Sequence, residues 1–383
     1  MFFRSLHIQR FKSLADVKLE NLAPATILVG QNAAGKSNIV EAIRFLISAF
    51  RDGLDNAITN HEGIEVIRQY SKSKPYDIRF RIEFEIGHYE LVIASKDRTY
   101  YVKKESGLWT RHMPRTGRDA KDVVFQFERD AAGNISSNQD TANYGYRAAK
   151  ADIAQNEMAA IAMPFFPIGR SQLSFLSLYP NTLRTPHRPD TDTRLKSGGE
   201  NWASVLKSMR TREHGKIALA AIIAVMKKVM PGLEDITVKS IGGYLVPQFL
   251  FRETPHSAAH YFDPVQLSDG TLRVLGILLA LYQQPPASFI AIEEPEQNVN
   301  PAVLGLLADA IKEASKSTQI LVTTHSPNLI DHFKPENIRV VDMRKGETIV
   351  SGIRLSQLKT VNERLMSIGE IMTLDGLQPE LQA

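Results

Sequence analysis

The stretch Thr26-Ile-Leu-Val29-Gly30-Gln31-Asn32-Ala33-Ala34-Gly35-Lys36-Ser37-Asn38 decides how this chain is read. Gly30 to Ser37 fits the pattern G-x-x-x-x-G-K-[ST]. A short apolar run precedes it and a helical pattern follows it, which is the context a phosphate-binding loop requires. The glycines permit a tight turn, so that successive backbone N–H groups face phosphate oxygens. Lys36 brings a point charge to the β- and γ-phosphates, and Ser37 offers a hydroxyl to Mg²⁺. The helix opening at Asn38 adds its dipole.

Working outward, Phe2–Gln9, Ala15–Glu20 and Thr26–Gly30 read as three short strands. Ile39, Val40, Ile43, Phe45, Leu46, Ile47 and Phe50 give the next helix a wide apolar face, and Gly53 ends it. Asp77–Ile86 alternates apolar and mostly charged residues, the mark of a half-buried antiparallel strand. Tyr89–Ala94, Thr99–Lys103 and Val123–Glu128 continue it as a meander. Ala131–Lys150 is polar and reads as a boundary or loop.

The middle third reads as mostly helical, with helices over Asn201–Thr211 and Lys216–Met230 and strands at Ile236–Lys239 and Tyr244–Arg252. Helix Thr271–Gln283, strand Ser288–Glu293, helix Pro301–Ser315 and strand Gln319–Thr324 then alternate, which implies a parallel sheet covered on both faces. Strands at Ile338–Met343 and Thr348–Ile353 and a helix over Val361–Met372 close the chain. The expected division is an N-terminal lobe over 1–130, a mainly helical lobe over 131–260 and a C-terminal lobe over 261–383.

Three further segments carry chemistry. Phe289-Ile-Ala-Ile-Glu293-Glu294-Pro295-Glu296 delivers adjacent carboxylates to a strand's C-terminal end, where ligands sit in parallel sheets. One acid can hold Mg²⁺, directly or through water, and the next can polarise a water for attack on a phosphate. Leu267-Ser268-Asp269-Gly270-Thr271 opens a helix with a Ser and a Gly, either a plain N-cap or an anion site. Val322-Thr-Thr-His325-Ser-Pro sets a His directly after an apolar strand.

Composition bounds the rest. At about 100–200 residues per domain, 383 residues allow two or three units, and 43% hydrophobic with 23% charged residues is ordinary globular usage. The chain has no cysteine, which excludes disulfides, iron–sulfur clusters and thiolate zinc sites. No apolar run reaches membrane-spanning length, and Met1–Leu14 lacks a signal-peptide pattern. A cytoplasmic protein without a membrane partner is expected. The net charge of +4 permits a nucleic-acid face without arguing for one. Arg111–Lys121 and Thr182–Lys196 are locally basic and read as solvated loops.

Taken together, these residues resemble an ABC-type ATPase head of the SMC and RecF branch. Leu6-His-Ile-Gln-Arg-Phe11-Lys12-Ser13-Leu14 is similar to that branch's opening motif. LSDGTLR, IAIEEPE and TTHSPNLID resemble the small prokaryotic AAA-21-type ATPases, relatives of the OLD family. The resemblance implies an α/β P-loop NTPase head with a mixed, largely parallel core sheet, an antiparallel β subdomain and a mostly helical insertion. It implies that two heads sandwich two ATPs. Gly30–Ser37 and Glu293 of one head would bind Mg·ATP, with Ser37 and Glu293 at the metal, while Ser268 and Gly270 of the other cap the γ-phosphate. Glu294 would be the base, His325 the γ-phosphate sensor and Lys36 a catalytic cation. Lys12 and Ser13 match an opening motif that often lies near the nucleotide.

Departures narrow the class. Asp269 stands where transporters usually carry a second Gly, and Val299-Asn300-Pro301 replaces the family's common Leu-His-Pro. Gln172 is the candidate for a Mg²⁺-sensing glutamine. Too few residues follow His325 for the Toprim domain of OLD nucleases, and the roughly 230 residues between phosphate loop and signature hold no sustained heptads. A compact ATPase head is expected. It would form a homodimer on ATP binding and serve DNA repair or phage defence through a separately encoded effector. DNA itself is a candidate partner, and a slow nucleotide-gated clamp or scaffold is the alternative. A metal nuclease site at His187, Asp190 and Asp192 and a zinc site at Glu253, His256 and His260 are both sparse, and Trp109 and Trp202 read as packing residues.

Overall fold

The computed structural model describes residues 3–96, 99–115, 118–143, 153–163, 166–168, 172–254 and 256–380, without the side chains of 114–120. Three sheets organise it. The first is antiparallel with seven strands: β1 (Phe3–Phe11), β2 (Leu14–Leu19), β4 (Ile78–Phe84), β5 (Gly87–Lys96), β6 (Thr99–Arg115), β7 (Arg118–Arg129) and β8 (Ile135–Ser137), in the order β2-β1-β4-β5-β6-β7-β8. The second has six strands: β3 (Ala25–Val29), β9 (Leu173–Leu176), β13 (Phe289–Glu293), β14 (Gln319–Thr324), β15 (Ile338–Arg344) and β16 (Glu347–Ser351), ordered β16-β15-β3-β14-β13-β9. All its pairings are parallel except β15 with β16. The third is a meander of β10 (Leu233–Ile241), β11 (Tyr244–Phe251) and β12 (His260–Phe262).

The six-stranded sheet is covered on both faces. Leu28, Phe289, Ala291 and Leu321 point into one core with the antiparallel sheet. Ile27, Val29, Ile290, Ile292, Ile320 and Val322 point into the other, against the helices Trp202–Thr211, Glu213–Val229, Asp269–Tyr282 and Pro301–Ala314. The side-chain period of two splits each apolar strand between the cores, which is why these strands read as continuous apolar runs. Helix Lys36–Asp52 buries Ile39, Val40, Ala42, Ile43, Phe45, Leu46, Ile47, Ala49 and Phe50 in the first core. Its arc is wide because Phe45 stacks on Phe80 of the antiparallel sheet and Leu46 shares a core with Phe289 and Leu321 of the parallel one.

Several elements depart from the expected bounds. β6 runs on past Lys103, and β7 pairs with it through Arg115↔Arg118, so the described residues of the basic segment Arg111–Lys121 are paired strands rather than a loop. The side chains of Arg115 and Arg118 lie outside the described residues, as does the end of the polar stretch Ala131–Lys150. The span 131–260, expected to be mainly helical, holds helices Trp202–Thr211 and Glu213–Val229 and also sends β9 into the parallel sheet beside β13. The closing helix is two helices, Leu355–Asn362 and Ile368–Leu374. Arg364 adopts a left-handed φ of 56° between them, and Ser367 with Glu370 forms a capping box that starts the second. Among the described residues no helix is long and apolar enough to cross a membrane.

Candidate active site

The parallel sheet gathers the chemistry at one edge. β3, β14 and β13 are neighbours, with Val29 level with Thr324 and Glu293 level with Thr323. The phosphate loop leaves β3, His325 leaves β14, and Glu294 to Glu296 leave β13. Segments distant in sequence therefore meet at the strand C-termini.

The loop is shaped by its backbone. Ala33 and Gly35 take left-handed φ of 62° and 103°, and Ala34 N donates to Gln31 O at 3.3 Å. A Cβ on Gly30 would lie 2.1 Å from the carbonyl oxygen of Val341, so only glycine lets the loop pass β15. Lys36 is buried, and its ammonium donates to Gly30 O at 2.8 Å and Gln31 O at 2.9 Å. Burial lowers its pKa from the ordinary lysine value; the charges of Glu294 and Glu296 act the other way. Gln31, Asn32, Ala33 and Ser37 are exposed.

Lys12 and Ser13 brace this loop from the β1–β2 turn. Lys12 Nζ lies 2.5 Å from Glu41 Oε2 on the loop's helix. Asn38 Nδ2 donates to Ser13 Oγ at 2.7 Å, and Ser13 Oγ lies 2.7 Å from Thr348 Oγ1. Both residues thus hold the helix entry in place.

The carboxylates are individually engaged. Glu293 Oε1 accepts from Arg44 Nη2 at 3.0 Å and from Ser177 Oγ at 3.3 Å. Glu294 sits at a left-handed φ of 46°, its N–H donating to Thr323 O at 2.9 Å, and Gln297 Nε2 donates to its Oε2. A non-glycine residue held in that region marks a constrained site. Glu296 Oε1 accepts from Thr324 Oγ1 at 2.6 Å and from the His325 N–H at 3.0 Å. His325 Nδ1 lies 3.7 Å from a carboxylate oxygen of both Glu294 and Glu296. Arg273, buried at the back, donates to the carbonyls of Leu178, Glu293 and Glu294 at 3.0–3.1 Å. Burial lowers its pKa against the pull of Glu296 and Glu294.

The family model described as "AAA domain, putative AbiEii toxin, Type IV TA system" matches residues 25–331, which include the phosphate loop, all three carboxylates and His325. The chain belongs to the AAA_21 family. Its similarity to curated proteins is local. It is 48% identical over 46 residues to the DNA replication and repair protein RecF of Thermosynechococcus vestitus, 12% of each chain. It is 40% identical over 70 residues to RecF of Synechococcus sp. strain JA-3-3Ab, 18% of each. The chain thus matches less than a fifth of these relatives' length.

Among solved structures, the AAA_21 chain is similar to an Smc head bound to the C-terminal winged-helix domain of ScpA, with a TM-score of 0.52 at 16% identity over 94% of this chain and all of that one. The Pyrococcus furiosus Smc head bound to the C-terminal domain of ScpA gives 0.50 at 15% over 95% and 99%. At such identity these show the fold alone: this AAA_21 protein has the fold of a P-loop ABC-type head, as the Smc heads do.

In this AAA_21 head the LSDGT segment opens helix Asp269–Tyr282. Ser268 is exposed and caps it, its Oγ accepting from Thr271 N at 3.2 Å. Gly270 is buried, where a Cβ would lie 2.1 Å from Asn298 O. Asp269 pairs with Arg184 at 2.6 Å, which fixes the residue that departs from the transporter pattern. Asn300, in place of the common His, caps helix Pro301–Ala314 through Ala302 N at 3.0 Å. Gln172 lies by Ser288, at the N-terminal end of β13 and so at the edge opposite the carboxylates, which removes it as the metal-sensing glutamine. Ser177, at the other end of β9, reaches Glu293 instead.

His187 Nε2 donates to Thr182 O, and Asp190 pairs with Lys196; no group of three or more His, Asp or Glu among the described residues could hold a metal alone. Trp109 and Trp202 are buried in the two cores. Arg44, Ser177, Arg273 and Glu296 escaped the sequence reading because only the strand order places them. The one local signal was the third acid of Glu293-Glu-Pro-Glu296.

Proposed function

We propose that this head is a Mg²⁺-dependent ATPase, hydrolysing ATP to ADP and phosphate. The observation that carries the reading is the convergence, at the C-termini of β3, β14 and β13, of the phosphate loop, His325 and Glu293–Glu294. The donor set fits the metal: an exposed Ser37 hydroxyl and the Glu293 carboxylate are hard oxygen ligands. Bound Mg²⁺ supplies Lewis-acid charge at the β- and γ-phosphates.

The chain's own residues do the rest. The loop N–H groups and Lys36 hold the phosphates. Glu294 accepts a proton from the attacking water as its oxygen bonds to the γ-phosphorus; the bond from phosphorus to the β–γ bridging oxygen breaks, and ADP leaves with those electrons. His325, beside Glu294, donates to the γ-phosphate. Ser268, exposed at a helix N-terminus, and Gly270 of a second copy complete the site in an ATP-dependent homodimer.

The dimer's conformational change drives a DNA-linked task, repair or phage defence, through a separately encoded effector; the local match to RecF supports the DNA link. The reading is tested by equilibrium binding of a fluorescent ATP analogue. Wild type binds in a Mg²⁺-dependent way, and Lys36→Ala loses binding; equal binding by a folded Lys36→Ala would contradict it.

A further inference from the structure

The third acid of the Glu293-Glu294-Pro295-Glu296 run is buried and ties two strands together, a role that a nucleotide site does not by itself require. Its side chain is only 8% exposed. Its Oε1 takes both available donors at the end of β14, the Thr324 hydroxyl at 2.6 Å and the His325 N–H at 3.0 Å. The same hydroxyl accepts from Ser326 N at 3.0 Å, so one carboxylate oxygen organises three consecutive residues. The His325 ring is not hydrogen-bonded to either neighbouring acid, since 3.7 Å is too long. What is held is its backbone. Oε2 of Glu296 is buried with no hydrogen-bond partner, although Lys36 and Arg273 both feel the charge. An unpaired buried carboxylate oxygen is costly, and an apolar residue would fill the space at lower cost.

Resting on the ATPase reading above, we propose that Glu296 is a positioning residue that fixes His325 relative to Glu294 through its Oε1 bonds to Thr324 and to the His325 backbone. Truncation frees the β14 end while leaving the phosphate loop intact. Misplacing a reacting group by about 1 Å costs on the order of 100-fold in rate. The loss therefore falls on kcat and not on nucleotide affinity.

The test compares the full-length wild type with Glu296→Ala, Glu296→Gln and Thr324→Val. It reads kcat, KM and direct ATP binding, with thermal melts confirming the fold. Glu296→Ala should lower kcat on the order of 100-fold with binding within a few-fold of wild type. Glu296→Gln keeps a carbonyl acceptor at Oε1 and should restore kcat to within about tenfold. Thr324→Val removes one bond from the other side and should fall between them, which keeps the proposal testable if Glu296→Ala does not fold. Wild-type kcat in Glu296→Ala overturns the proposal, as does a parallel loss of ATP binding, which would place Glu296 on the phosphate loop through Lys36. Glu296→Gln as slow as Glu296→Ala also overturns it, because charge would then matter and the Oε1 bonds would not. A wild-type chain that hydrolyses no ATP overturns the ATPase reading and the proposal together, and so is told apart from failure of the proposal alone.

Discussion

Arg44, about two turns into the phosphate-loop helix, places Nη2 3.0 Å from Oε1 of Glu293 at the end of β13. The contact links the loop that would bind phosphate to the acid that would bind its metal. Two effects oppose each other in Arg44→Ala. Removing the cation frees Glu293 for Mg²⁺, but the pair is 39% and 23% exposed, where such contacts stabilise by only about 0–1 kcal/mol. Losing the partner that orients a metal ligand costs roughly 10–100-fold in metal affinity. Orientation wins, so Arg44→Ala should need about tenfold more Mg²⁺ for half-maximal nucleotide binding. A Mg²⁺ titration superimposable on wild type would count against this role.

Gly30→Ala should damage fold and binding together. The new Cβ meets the Val341 carbonyl at 2.1 Å, a backbone atom that cannot move without shifting β15. Overpacking of this kind costs about 1–3 kcal/mol. A lowered melting temperature with weakened nucleotide binding is expected; an unchanged melt would show that the loop passes β15 less closely.

Nucleotide affinity should fall at alkaline pH earlier than an ordinary lysine allows. Burial disfavours the charged ammonium of Lys36 and lowers its pKa below 10.5. The cation that holds phosphate is therefore present below that lowered pKa and lost as pH rises through it. An affinity that stays flat up to pH 10.5 would contradict the burial argument.

Light scattering on Glu294→Gln should show a monomer that becomes a dimer with Mg·ATP, since each signature helix then caps the other head's nucleotide. A mass indifferent to ATP, with binding confirmed, would remove Ser268 and Gly270 from a homodimeric site.

The phosphate loop was legible because a strand, a turn and a helix in immediate succession make it, with nothing distant needed. Glu293, Glu294 and His325 were legible as strand ends. Their partners were not. Ser177 and Arg44 reach Glu293 only because β9 enters the sheet beside β13 and the loop's helix shares a core with β13. The length of β6 was hidden by Lys103-Lys-Glu105-Ser-Gly107, which reads as a strand end. Glu105 is fully buried, accepting from the N–H groups of Ala159 and Ala160 at 2.6 and 2.8 Å and from the Tyr89 hydroxyl at 2.9 Å. A charge that breaks the alternation in sequence is satisfied by a segment some fifty residues on.

Phosphate release from ATP, measured on wild type and Glu294→Gln beside their ATP affinities, tests the central claim most directly. The account predicts turnover by wild type, equal binding by both, and release by Glu294→Gln lowered roughly 10²–10⁴-fold. Unchanged release by Glu294→Gln, or none by a wild type that binds Mg·ATP, would contradict it.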